Sequence, residues 1–376
     1  MDNAAGTVDH VGAWTSDGWF ATIRNTWDRA TSTGTSELAL FPRTGPGGGT
    51  LGTPQTIPLE YGGTRSPIGE SILAVPTYDG ARFYVLDGGT WVEAGSMTVP
   101  WPFQVVDMTD DWLVVRRPLG EVGDASVQIY SVQRTVNAVT VALDTTLLPD
   151  PSWDEQRRAE FGAGIALDGD LLAVIGGGAG GGPLVQVYRH GPGGWGLTQT
   201  IGDGVAYQRS TAIDIDDGPN VDRLVMSSFA AVPGVIGVDV WADTGSGFVV
   251  EQTIDPDPAV PDTGAGYLFG AVIAMDGDVL AVSSRMTQIT SSEPGHDPVT
   301  VGHVQVYRHD GTWAAEQDLA PFPDPFDPDI RQIFPLELHV SGDHVAADMV
   351  TFPDPPDPCP FPCINLGAEV WTASRY

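Results

Sequence analysis

The sequence predicts an all-β fold assembled from a repeated unit of four short strands. Residues 161–200 show this unit, because apolar runs rich in Val, Ile and Leu alternate there with turns rich in Gly and Asp. Such runs are typical of strands, and Asp-Gly is typical of tight hairpins. Residues 268–319 repeat the unit, with Phe-Gly, Asp-Gly-Asp, Tyr-Arg-His and Trp in the same order. An internal repeat of this length indicates a repeat architecture.

Five further segments resemble this unit, which brings the total to seven. Their bounds are 8–57, 62–99, 102–148, 161–201, 207–254, 268–319 and 334–376. The third strand of every unit ends in an aromatic residue: Phe41, Tyr84, Tyr130, Tyr188, Trp241, Tyr307 and Trp371. We interpret these residues as packing between units. The sequence therefore predicts a seven-bladed β-propeller of four-stranded antiparallel blades, in a single domain over residues 1–376.

Each unit begins with a predicted hairpin whose turn lies between two apolar runs. The first three hairpins are WTSDGWFATI, SPIGESILAV and QVVDMTDDWLVV; the fourth and sixth turn at Asp-Gly-Asp, and the fifth is longer. The seventh unit starts with LELHVSGDHVAADMV and contains only three strands. We therefore expect residues near Ala5 to Val8 to complete it by pairing with the strand that holds Val370.

The charge balance excludes some classes of partner. The formal net charge is −32, from 49 acidic and 17 basic side chains. A general nucleic-acid binder needs a basic face, and an anionic membrane surface attracts basic segments. No stretch is apolar enough to span a membrane. We interpret the acidity chiefly as a solubility device, with cation binding as the alternative.

The two cysteines, Cys359 and Cys363, lie in a proline-rich loop. We interpret them as a local disulfide, which implies an oxidising compartment. Half of a metal site is the alternative, although two thiols without nearby His are too few for structural zinc. The N-terminal residues show no charged and apolar signal region, so either the chain is cytosolic or its export signal is missing from this version. We expect an extracellular or cell-surface protein whose export signal is absent from this chain.

The fourth and sixth units resemble the FG-GAP repeat most closely. The resemblance rests on Phe-Gly before a small-residue strand, an Asp-Gly-Asp turn, a Leu-Ala-Val strand, a Val-Gln-Val-Tyr-Arg strand and a following Trp. FG-GAP repeats form the propeller of integrin α chains and occur in bacterial surface proteins. The resemblance implies an extracellular binding or adhesion module, and it conveys fold better than function.

The fifth hairpin, Asp214 to Asp222, resembles the calcium loops that FG-GAP blades carry at this position. That resemblance implies that the calcium ligands are Asp214, Asp216, Asp217 and Asp222. Carboxylates at close intervals around a Gly suit a hard cation. The loop departs from the family pattern by one residue on each side of its Gly. The alternative is a long polar turn whose Asp side chains bond their own backbone.

A second group of candidate residues comes from the first strands, which line the channel of a propeller. Aligned, they place one residue of each unit at an equivalent position: Thr15, Pro67, Asp107, Ala166, Ala212, Ala274 and His339. Asp107 and His339 are the polar exceptions, and together they could bind a ligand or perform acid–base chemistry. The alternative is a pair that faces water or is satisfied locally.

No catalytic motif stands out in the sequence. We therefore expect an extracellular binding or adhesion module, with calcium as its possible ion. Its partner would be a protein or glycan, with no nucleic acid and no membrane span, and the chain would be a monomer. The alternative is a secreted polysaccharide-acting hydrolase or lyase with its site at the mouth of the channel.

Overall fold

A computed structural model describes a large part of the chain as strands. The described residues are 6–16, 18–28, 33–44, 50–60, 66–118, 125–136, 138–153, 155–176, 184–202, 212–229, 236–256, 269–288, 299–319, 331–333, 338–352 and 365–372. Within them the secondary structure consists of 28 strands and one helix of five residues. The all-β part of the prediction is confirmed.

The strands form successive sheets in chain order. The first sheet contains β1 (Gly6–Ser16), β2 (Trp19–Asp28), β3 (Thr33–Thr44), β4 (Thr50–Leu51) and β5 (Gln55–Leu59). The second contains β6 (Ile72–Thr77), β7 (Gly80–Asp87) and β8 (Thr90–Thr98). The third contains β9 (Gln104–Met108), β10 (Trp112–Arg117), β11 (Ser126–Arg134) and β12 (Val139–Leu147).

The remaining sheets follow the helix α1 (Glu155–Ala159). The fourth contains β13 (Ile165–Asp168), β14 (Leu171–Gly176), β15 (Leu184–Gly191) and β16 (Gly194–Ile201). The fifth contains β17 (Ile213–Asp216), β18 (Arg223–Phe229), β19 (Ile236–Asp243) and β20 (Phe248–Ile254). The sixth contains β21 (Ile273–Asp276), β22 (Val279–Gln288), β23 (Val299–His309) and β24 (Trp313–Leu319). The seventh contains β25 (Arg331–Ile333), β26 (Leu338–Ser341), β27 (His344–Phe352) and β28 (Asn365–Thr372).

The predicted number of blades is wrong, because the propeller has six blades rather than seven. We assign the blades to the second to seventh sheets, which have three or four strands each. The first sheet is built differently: it has five strands, and β1 has 11 residues where β13, β17 and β21 have four each. An Asp-Gly turn between alternating runs specifies a hairpin, and a hairpin occurs in any antiparallel sheet. The sequence pattern therefore predicted one blade more than the structure has.

The second sheet has three strands where four were predicted. The expected inner strand around Pro67 is reduced to one bridge between Ile68 and Leu73. Pro67 has no N–H to donate to a ladder, although its carbonyl accepts a hydrogen bond from the N–H of Ala74 at 3.0 Å. A proline at this position thus explains the missing strand.

The N-terminal strand does not show the pairing predicted for it. In β1, Thr7 lies opposite Thr26 of β2 and Val8 lies opposite Asn25. Val370 of β28 pairs instead with Ala346 of β27. Strand β1 does contact β26, β27 and β28 inside one compact unit, but among the described strands its ladder is with β2.

The chain divides into two compact units, each with its own apolar core. One consists of residues Thr64–Asp255 with Met275–Gly277, and the other of Met1–Gly63, Pro256–Ala274 and Asp278–Tyr376. In the first unit, separate buried clusters lie between the second and third sheets, the third and fourth, and the fourth and fifth. In the second unit, a cluster joins the sixth and seventh sheets. Within each unit, neighbouring blades thus bury apolar faces against each other.

The aromatic residue of the third strand lies opposite an irregularity in the fourth strand. The register shifts at this residue in the second to sixth sheets, at Tyr84, Tyr130, Tyr188, Trp241 and Tyr307. The aromatic side chains themselves pack against the clusters between sheets in several blades, as predicted. A bulge re-aims the residues beside it. In the fifth sheet the extra residue is Glu251, which forms a salt bridge with Arg223.

Candidate functional site

The carboxylates at the ends of the first strands join neighbouring sheets. Asp168 ends β13, and its Oδ2 accepts a hydrogen bond from the N–H of Asp217 in the next sheet at 2.7 Å. Asp216 ends β17, and its Oδ1 accepts from the N–H of Gly277 in the following sheet at 3.1 Å. Asp168 and Asp216 are equivalent in the repeat, as are Asp217 and Gly277. The same contact is therefore made twice.

A second carboxylate in the hairpin turn accepts a hydrogen bond from the preceding sheet rather than from the following one. Oδ2 of Asp217 accepts a hydrogen bond from the N–H of Asp170 in the preceding sheet at 3.1 Å. Asp110, the equivalent residue of the third sheet, accepts from the N–H of Ser71 in the second sheet at 3.0 Å. The hydroxyl of Ser71 also donates to Asp110. These aspartates satisfy backbone donors that a turn would otherwise leave unpaired.

Asp107 and Asp214 form a third repeated contact. Oδ2 of Asp107 accepts a hydrogen bond from the N–H of Leu167 at 2.9 Å, and Oδ2 of Asp214 accepts from the N–H of Met275 at 2.7 Å. Each also accepts from the N–H that follows it in the chain. The residue equivalent to Asp107 in the fifth sheet is thus Asp214, and the alignment that placed Ala212 there is wrong by two residues.

Burial changes the ionisation of these groups. The carboxyl group of Asp214 is enclosed even though part of the residue reaches solvent; burial raises its pKa to about 8, and the charges of Asp107 and Asp168 add to the shift. Burial also raises the pKa of Asp168 to about 6. For Asp216, burial raises the pKa and the charge of Asp276 raises it further. These carboxyl groups are therefore protonated more readily in the folded chain than an ordinary Asp.

The last predicted calcium ligand, Asp222, is paired with a cation. Its carboxylate binds the guanidinium of Arg189 from the fourth sheet, which also reaches Asp243 at 3.3 Å. The other three predicted ligands accept the backbone bonds described above. Within the described ranges, no group of three or more His, Cys, Asp or Glu side chains is arranged to hold a metal ion. Calcium binding stays a prediction of the sequence.

The repeated Tyr-Arg-His motif has a structural role in both units that contain it. Each Tyr hydroxyl donates to a Gln two residues before it, at 2.9 Å in Tyr188 and 2.7 Å in Tyr307. Each Arg reaches an Asp of the next sheet, Asp343 in the case of Arg308. Each His ring lies beside the following Trp, with centroids 5.5 Å apart for His190 and 5.2 Å for His309. The motif joins and orders sheets.

The other predicted site residues are accounted for as follows. Asp107 lies on β9 and makes the contact to the fourth sheet described above. His339 lies on β26, opposite Ala346 of β27, in the other compact unit. Cys359 and Cys363 lie outside the described residues. The proposed pairing of Asp107 with His339 and the disulfide stay predictions.

Two exposed aromatic side chains share a loop surface that the sequence reasoning missed. Tyr78 lies in the turn between β6 and β7, and Trp101 lies in the connection between β8 and β9; they are 63% and 66% exposed. The carbonyl of Asp79 accepts a hydrogen bond from the N–H of Val99 at 2.8 Å, which holds the turn beside the connection. The Trp101 ring meets the Phe103 ring edge-on, with centroids 6.0 Å apart. We call this region the Tyr78–Trp101 surface.

Comparison with known proteins supports the fold. No family model and no curated protein matches the chain. The β-propeller domain of the Trilobed protease from Pyrococcus furiosus, described as an open velcro topology, is similar with a TM-score of 0.51 and 11% identity, over 98% of this chain and 96% of that chain. The WD40 domain of SCAP from fission yeast is similar at a TM-score of 0.41 and 11% identity, over 99% and 94% of the two chains.

A peptidase provides a further structural likeness. The acylaminoacyl peptidase of Pyrococcus horikoshii matches with a TM-score of 0.54 and 8% identity, over 98% of this chain. This chain spans 53% of the length of that peptidase. In the described part of the chain, no helix has the length and apolar character needed to cross a membrane. Identities this low carry over the fold alone, and on that ground the chain is a β-propeller.

Proposed function

We propose that this chain is an extracellular binding module of the FG-GAP type, which holds a protein or glycan ligand on the Tyr78–Trp101 surface. One observation carries the proposal: two aromatic side chains stay exposed on adjoining, hydrogen-bonded loops. Tyr and Trp combine a large apolar ring with a polar atom, which makes them frequent anchors in binding surfaces. Function on a propeller resides in the loops that the sheets position.

The hydrogen bonds of the hairpin carboxylates favour a binding role over catalysis. The raised pKa values of Asp168 and Asp214 are the feature that favours the alternative, a polysaccharide-acting hydrolase or lyase. However, both carboxylates accept backbone N–H groups of a neighbouring sheet. An assay for new reducing ends on a polysaccharide panel distinguishes the two functions, because a binding module releases none.

Replacing Trp101 by Ala is expected to weaken binding at least tenfold without changing thermal stability, because the side chain is 66% exposed. The measurement is a glycan and protein array with the purified chain, followed by titration of the hits. Val136→Ala is the control, since Val136 is also exposed, at 82%, but lies beyond the end of β11. Hits that bind the Trp101 variant as tightly as the original chain would contradict the proposal.

The same proposal includes a calcium ion bound at the fifth hairpin. Calorimetric titration with millimolar calcium is expected to show binding that disappears when Asp216 and Asp217 are both replaced by Asn. The ion has to compete with Arg189 for the carboxylate of Asp222. The variant Arg189→Met is therefore expected to bind calcium more tightly than the original chain. Equal heats of calcium binding in the original chain, the double variant and Arg189→Met would contradict the proposed calcium site.

A further inference from the structure

The two segments of the Tyr78–Trp101 surface continue one strand ladder. The hydrogen bond from the N–H of Val99 to the carbonyl of Asp79 extends the pairing of β7 and β8 by one residue beyond their ends. The next residues along the two segments are Tyr78 and Pro100, and Trp101 follows Pro100 in the chain. The exposed rings are therefore carried by backbone segments that run side by side at one end of the second sheet.

Trp101 lies on a stiff stretch of backbone. Pro100 precedes it and Pro102 follows it. A proline ring fixes its own φ and restricts the residue before it to extended conformations. The indole meets the buried ring of Phe103 at an interplanar angle of 82°, while Trp101 itself stays exposed. A ligand that binds Trp101 is therefore spared much of the free-energy cost of ordering a loop.

A carboxylate follows Tyr78 in the same turn. The side chain of Asp79 is exposed, and its Oδ1 accepts a hydrogen bond from the hydroxyl of Thr77 at 3.0 Å. A carboxylate has about four acceptor sites on its two oxygens, so this bond orients the group and leaves it able to accept hydroxyl groups of a ligand. The surface therefore combines flat apolar rings with an acceptor for hydroxyl donors.

We propose that the Tyr78–Trp101 surface binds an uncharged polysaccharide, whose sugar rings pack against Trp101 and Tyr78 and whose hydroxyls donate to the carboxylate of Asp79. This inference rests on the proposed function and names its ligand class. A pyranose ring has an apolar face of C–H groups and a rim of hydroxyls. Packing on an indole or phenol ring buries that face, and a few polar groups beside the ring fix the orientation of the sugar.

The charge of the chain favours an uncharged ligand. The net charge of −32 repels acidic saccharides and nucleic acids alike. A cationic ligand would be attracted, but by 49 acidic side chains spread along the chain, which give it no preference for this surface. The distinguishing feature of the surface is its rings. Among the residues whose side chains the structure describes, Tyr78 and Trp101 are the aromatic residues with the highest exposure.

The size of the surface favours a saccharide over a protein. Each partner of a standard protein complex buries about 800 Å² around a contiguous apolar core. A Tyr or Trp side chain contributes roughly 150–250 Å². Two such rings with a carboxylate beside them therefore fall short of a protein interface, whereas they provide the apolar faces and the acceptor that a short stretch of polysaccharide needs.

Calorimetric titration with uncharged oligomers of glucose, mannose, galactose and N-acetylglucosamine tests the inference at low and at high sodium chloride concentration. At least one oligomer is expected to bind the full chain, and its affinity should change less than about twofold with salt, because screening acts on charges. Trp101→Ala removes a packing surface and Asp79→Asn removes a charged acceptor. Each should weaken binding about tenfold, since hydrogen bonds to charged groups are the stronger ones.

Asp87→Asn is the matched control for Asp79→Asn. It removes the same charge from an exposed Asp at the other end of β7, so it should bind the sugar like the original chain. Asn at position 79 still offers an acceptor to Thr77. All three variants are therefore expected to keep the melting temperature of the original chain.

The possible outcomes separate this inference from the proposed function. Failure of every uncharged oligomer to bind overturns the inference. So does tighter, salt-dependent binding of a galacturonate oligomer, a glucosamine oligomer or a Lys-rich peptide. A protein or charged ligand whose binding depends on Trp101 but not on Asp79 would preserve the proposed function while overturning this inference. Ligand binding that Trp101→Ala leaves unchanged would overturn both.

Discussion

The chain is expected to unfold at a lower denaturant concentration at pH 8 than at pH 5. The folded-state pKa values of Asp214 and Asp168, about 8 and about 6, lie above the ordinary value. The folded chain therefore binds more protons than the unfolded chain between about pH 4 and pH 8. The contribution of these two protonated carboxyl groups to stability is complete below the ordinary pKa of Asp. It is lost as the pH rises through their folded-state pKa values. At roughly 1.4 kcal/mol per pKa unit, the loss amounts to a few kcal/mol.

Replacing Asp214 by Asn is expected to flatten this pH dependence. Asn keeps one acceptor oxygen, but its side-chain NH2 group would face the backbone N–H of either Ile215 or Met275. Two donors would then meet without an acceptor. The variant should therefore be less stable than the original chain at pH 5, by about 1–3 kcal/mol. The difference should shrink or reverse toward pH 8, where the buried charge burdens only the original chain.

Urea unfolding at several pH values between 5 and 8 measures both effects. Asp144→Asn is the matched control, because it removes the same charge from an exposed position on β12. Its pH dependence should follow that of the original chain. If Asp214→Asn shows the same slope as that control, burial of Asp214 does not shape the stability of the fold.

Replacing Gly169 by Ala is expected to destabilise the chain more than replacing Gly277 by Ala. Both glycines occupy Asp-Gly-Asp turns at positive φ, +51° and +59°. A side chain costs about 1–2 kcal/mol in this conformation. A Cβ on Gly169 would in addition overlap Oδ2 of Asp217, whereas a Cβ on Gly277 meets nothing within 4 Å. Moving Asp217 aside breaks its bond with the N–H of Asp170.

The difference between the two variants isolates the contact between the fourth and fifth sheets. We expect Gly169→Ala to lose about 1–3 kcal/mol more than Gly277→Ala, the usual cost of overpacking. Denaturant unfolding of both variants at one pH gives the comparison. Equal losses would mean that the carboxylate of Asp217 adapts freely, and the repeated hairpin contacts would then contribute little to the cohesion of the blades.

The candidate site shows where sequence reasoning fails. The acidic residues of the fifth hairpin were recognised, but their partners were not. Asp214 bonds Met275, 61 residues away, and Asp168 bonds Asp217, 49 residues away. A stretch of sequence contains no record of which backbone N–H will approach a carboxylate. A pattern of acids around a Gly was therefore compatible with both an ion site and a set of bonds between sheets.

Local properties of the chain were predictable from sequence alone. Alternating runs, Asp-Gly turns and the repeated Tyr-Arg-His motif specified strands and hairpins, because these depend on side-chain periodicity and on a few turn residues. They also led to the propeller fold. The number of blades and the hydrogen bonds of each aspartate were decided by the tertiary structure. Each depends on contacts between residues far apart in the chain, where packing determines which groups meet.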